Sequence, residues 1–82
     1  MGISGKALAQ LLRLDGWTEG RRTTHGIAFY KHFPGEHLPR MTIIPDKTDD
    51  LPSGTLGAIL GVRQTGLGSA GLEGLLNKYG RP

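Results

Sequence analysis

The sequence contains no cysteine. That excludes a disulfide framework and any thiolate metal site, and it fits a reducing compartment. No apolar run approaches the roughly 20 residues needed to span a bilayer. There is no internal repeat and no low-complexity tract. Asp49 and Asp50 are neighbours in a polar connector, and no second carboxylate pairs with them at catalytic spacing. The histidines, His25, His32 and His37, have spacings that match no standard zinc pattern, so neither a metal nor a cofactor is expected. The opening MGISGKALAQLLRLDG has an acidic residue and turn chemistry where a signal peptide carries a small-residue cleavage site. The expectation is a soluble cytoplasmic protein with no membrane partner.

What is present is a short basic chain. Its 82 residues make a single domain, 1–82, the sensible division. The net charge is +3 and the isoelectric point about 9.7. Residues 1–40 carry six basic and three acidic side chains, whereas 41–60 carry one and three. The front half is therefore the expected anion-facing part, and the isoelectric point is that of many nucleic-acid binders.

Ser4 is a good N-cap for a first helix, with Ala7, Leu8, Leu11 and Leu12 on its core face and Gly16 as its stop. Trp17 opens a short strand, WTEGRRTT, and is expected to anchor the core. Gly20 within that strand indicates a bulge. GIAFYKHF is a second strand. Period-two alternation puts Ile27, Phe29 and Phe33 on one face, His25 with them, and Ala28, Tyr30 and His32 on the other. Pro34-Gly35 marks a loop, RMTII a third strand, and Pro45 its end. Ser53 reads as the cap of a second helix whose core face is Leu56, Ile59 and Leu60. Leu72, Leu75, Leu76 and Tyr79 predict a third helix over 69–79. The expected fold is thus α+β: helix, three-stranded antiparallel sheet, helix, with an extra C-terminal helix. That order is the one found in double-stranded-RNA-binding domains.

The stretch with the most chemistry is RRTTHG, residues 21–26. A histidine titrates near neutral pH, at about 6.5, so it can serve as general acid or base. Arg21 and Arg22 beside it can hold a phosphate backbone, with Lys31, Lys6 and Arg40 as further candidates. Gly26 permits a bend or a close backbone approach there. His32 and His37 read as exposed strand and loop residues.

Four pieces in order, SGK (4–6), DGW (15–17), THG (24–26) and IPDKTDDLPSGTLGAIL (44–60), make the chain resemble the HicA, or YcfA-like, family of toxin–antitoxin toxins over about residues 3–67. The extension at 68–82 lies outside that resemblance. The resemblance implies a double-stranded-RNA-binding-like fold, cleavage of mRNA by one histidine, and neutralisation by a HicB-type antitoxin. Carried over, the catalytic histidine is His25, with Thr24 and Gly26 as supporting residues. The commoner pattern, as in GSHH, has a second histidine where this chain has Gly26. Two other functions fit the same sequence: an RNA-binding module without catalysis, and a small protein-interaction domain.

Overall fold

The computed structural model describes residues 2–81. Met1 and Pro82, the ends of the single domain expected from the sequence, lie outside the described residues. The elements run α1 (Gly5–Leu14), β1 (Thr18–Thr23), β2 (Gly26–Lys31), β3 (Arg40–Ile44), α2 (Ser53–Leu60) and α3 (Gly68–Tyr79). This is an α+β domain with one antiparallel sheet ordered β1-β2-β3.

The first helix begins as its sequence dictates. The Ser4 hydroxyl accepts the Ala7 backbone N–H at 3.1 Å, and the helix gives way to Gly16 at φ 88°. Its apolar stripe is fully buried at Leu8, Leu11 and Leu12. Trp17 is buried next to it, edge-on to Phe33, and its indole N–H donates to Asp15. The first strand is exposed along its whole length, and its pairing with β2 slips between Glu19 and Arg22, the irregularity that Gly20 foretells.

The sheet has one covered and one open face. Ile27 and Phe29 on β2 are opposite Ile44 and Thr42 on β3, and all four are buried. Tyr30 and Met41 are also register partners, but they point the other way and stay exposed. The buried side joins α1, α2 and α3 into one apolar cluster around Phe29. Each fully buried large side chain of this cluster contributes roughly 1.5–3 kcal/mol.

One detail differs from expectation. Ser53 is the first residue of α2 rather than its cap, because Pro52, fixed at φ −56°, takes the cap position and offers no side-chain hydrogen bond. The C-terminal extension is integral: Leu72 and Leu75 of α3 are buried in the same core as Leu8 and Phe29. The connector before α2 is tied back to the chain start, where Leu51 N–H donates to the Ile3 carbonyl at 2.8 Å.

Candidate functional site

His25 sits in the two-residue turn between β1 and β2, with Thr23 and Gly26 as the closing pair. The alternation that would put it on the apolar face stops at that turn, so the imidazole is exposed rather than buried with Ile27 and Phe29. The turn is clasped by one hydroxyl. Thr23 Oγ1 accepts the His25 backbone N–H at 3.1 Å and donates to the Gly26 carbonyl at 3.2 Å. Thr24, the supporting residue that the resemblance implies, lies beside His25 in the same turn, while the hydroxyl that clasps the turn is that of Thr23. Among the described residues the His25 side chain makes no hydrogen bond, which leaves both ring nitrogens open to a ligand.

Gly26 adopts φ 142°. A Cβ there would fall 2.9 Å from Pro45 Cα and closer still to the Ile44 carbonyl. Only glycine lets the turn press against the end of β3. Gly5 does the same from the other side: a Cβ on it would lie 2.9 Å from the Pro45 carbonyl carbon. The Lys6 N–H then reaches the Lys47 carbonyl at 3.0 Å. The first turn of α1, the β1–β2 turn and the loop after β3 thereby converge.

The end of β1, the β1–β2 turn and the loop after β3 line a depression of about 230 Å³ formed by Arg22, Thr23, Thr24, His25, Gly26, Pro45, Asp46 and Lys47. Asp46 is its focus. One carboxylate oxygen accepts from Lys6 Nζ at 2.9 Å and the other from Arg22 at 2.7 Å. Hydrogen bonds from Arg22 first, and then from Lys6, hold the Asp46 carboxyl below the usual carboxylate range. The same bond raises the Arg22 guanidinium further above its ordinary value. Arg21 and Lys47 are exposed and have no ion pair among the described residues.

The predicted basic residues therefore separate into two groups. Arg21, Arg22 and Lys6 are at the His25 end. Lys31 closes the far end of β2, about 16 Å away at the usual rise per strand residue, and pairs across to Arg40. Both of these cations are occupied in tying loops. Lys31 donates to the Asp15 carbonyl at 2.8 Å. Arg40 binds Glu36 and the Val62 carbonyl, and both cations lie over the Phe33 ring. The structure does not bring them to His25. His32 and His37 are exposed, as expected. No three His, Asp or Glu side chains among the described residues gather as metal ligands.

A larger depression of about 580 Å³ lies between β3 and α2, but among the described residues Arg63 is the only charged side chain lining it. Size does not select the site; the titratable imidazole beside clustered cations does. Asp46 and Lys47 were the residues that reading the sequence missed, because DKTDDLPSG reads as a plain polar connector. The antiparallel register was the available signal: if Ile27 faces Ile44, residues 45–47 must run beside the turn at 24–26. Chemically, the arrangement offers one open proton-transfer group next to fixed positive charge, on a surface a polyanion can approach. Comparison with protein-family models, with curated proteins and with solved structures gives no match to this chain.

Proposed function

We propose that this chain is an endoribonuclease of double-stranded-RNA-binding-like fold, the mRNA-cleaving toxin of a HicA-type toxin–antitoxin pair. The observation that carries this reading is the exposed His25 in a clasped turn, sharing one depression with Arg22 and Lys47 and lying next to Lys6 through Asp46. The resemblance in SGK, DGW, THG and the 44–60 stretch supports it. RNA cleavage is easiest when a 2′-hydroxyl attacks the adjacent phosphorus. The hydroxyl proton goes to a base, the leaving 5′-oxygen takes a proton from an acid, and cations offset the charge that develops on the phosphate oxygens. His25 fills a proton role. Arg21, Arg22 and Lys6 hold the backbone. A HicB-type antitoxin covers this face in the resting cell.

A non-catalytic RNA-binding module is favoured by one specific observation. Among the described residues the depression holds no second proton-transfer side chain of suitable strength, since Asp46 is held ionised and is a weak base. Induced expression of wild type and His25→Ala, following growth and RNA integrity together, separates the two. The toxin reading expects arrest and cut mRNA with wild type alone; intact RNA in both cultures refutes it. Lys31 and Arg40 belong to the fold in this reading, and their substitution shifts thermal stability more than RNA binding.

A further inference from the structure

We infer that Asp46 occupies a phosphate subsite: Lys6 and Arg22 are the two jaws of a site for an RNA phosphodiester, and the carboxylate stands where that phosphodiester docks. The inference rests on the proposed RNA substrate, but it concerns binding and not cleavage. Two cations from separate elements, the first turn of α1 and the end of β1, each take a different oxygen of one carboxylate, at 2.9 and 2.7 Å. That is the geometry in which two donors take the two non-bridging oxygens of a phosphodiester, which is likewise a monoanion. Both cations are open to solvent, at 55% and 66% side-chain exposure, and neither has another side-chain partner among the described residues.

The contrast with the far end of the sheet is informative. Lys31 and Arg40 each also bind a backbone carbonyl, which fixes them as braces for loops. Among the described residues the side chains of Lys6 and Arg22 bind only Asp46. Exposed ion pairs are weak, so an incoming phosphate can replace Asp46 at little cost. Once Asp46 is displaced, Lys6, Arg22 and Lys47 confront the ligand beside His25. Asp46 thus acts as a resident competitor. It keeps the two jaws converged in the free protein and lowers the affinity for RNA.

The test uses a single-stranded 2′-O-methyl oligonucleotide, whose phosphates are normal but whose blocked 2′-oxygen cannot attack. Binding is measured for wild type, Asp46→Asn, Lys6→Gln and Arg22→Gln across a salt series. Removing one negative charge a few ångströms from the docking phosphate is expected to tighten binding about three- to tenfold near 0.1 M salt. The salt dependence should steepen by about one phosphate contact. Lys6→Gln and Arg22→Gln should weaken binding in an otherwise unchanged chain, which keeps the test decisive if Asp46→Asn fails to fold. Equal or weaker binding by folded Asp46→Asn, or unchanged binding by both cation variants, overturns the subsite. An unmodified RNA strand run in parallel reads cleavage. Tighter binding by Asp46→Asn without cleavage by any variant leaves the subsite standing and refutes the nuclease. Cleavage by wild type with no gain in binding does the reverse.

Discussion

Replacing glycine by alanine in a helix normally stabilises a protein by about 0.5–1 kcal/mol, because the unfolded chain loses freedom. Gly57, exposed within α2, has open space where a Cβ would stand among the described residues and should follow that rule. Gly5 should reverse it. Its Cβ would be driven into the Pro45 carbonyl, and backbone cannot swing aside as a side-chain tip can. Forced overpacking costs about 1–3 kcal/mol. If the loop retreats instead, the Lys6 N–H bond to the Lys47 carbonyl, worth about 1 kcal/mol, is lost. The clash outweighs the helical gain, which is smaller still at a first-turn position. Net destabilisation is therefore about 1–2.5 kcal/mol. At this chain length 1 kcal/mol moves the midpoint by about 4–8 °C. Thermal and urea unfolding of the two variants should then shift in opposite directions, with Gly5→Ala below wild type and Gly57→Ala above it. Stabilisation by Gly5→Ala would show that α1 and the 45–47 loop are not held in contact, and the site built on that contact would fall with it.

Other outcomes follow from the same structure. Phe29→Ala, at the centre of the core with no exposure, should cost about 3–5 kcal/mol in urea unfolding. A chain ending at residue 67 loses the buried Leu72 and Leu75, roughly 3–6 kcal/mol of burial against a typical total of about 5–15 kcal/mol. It should show poor NMR dispersion and non-cooperative melting, and a sharp native-like transition would contradict the role given to α3. The lowered Asp46 carboxyl stabilises the fold above the ordinary carboxylate range, and that contribution is lost as pH falls through the folded-state value. The stability gap between wild type and Asp46→Asn should therefore narrow in acid.

Much of the fold was legible because local signals agreed. Ser4, the leucine stripe and Gly16 specified α1 from cap to stop, and Gly20 marked the bulge in β1. Alternation placed Ile27 and Phe29 in the core. It failed at His25 because a two-residue turn breaks the period, and a turn clasped by a threonine hydroxyl has no period of its own. Pro52 displaced Ser53 as the cap of α2 because its fixed φ suits the position. At the site, His25 and Arg22 were readable from their adjacency in sequence. The grouping of Lys6 with Asp46 was not, since the two are 40 positions apart and it depends on two glycines whose missing Cβ atoms let three segments meet. Lys31 and Arg40 share a charge sign with the site residues but not a location, and charge sign carries no distance.

The most direct measurement is cleavage of a defined single-stranded RNA by purified wild type and His25→Ala, matched for folding by their melting curves. His25 is exposed in a turn, so its loss should leave stability within about 0.5 kcal/mol. Removing a general acid or base should lower the cleavage rate about 10²–10⁴-fold. Equal cleavage by the two folded proteins, or none by wild type, would contradict the assignment of His25.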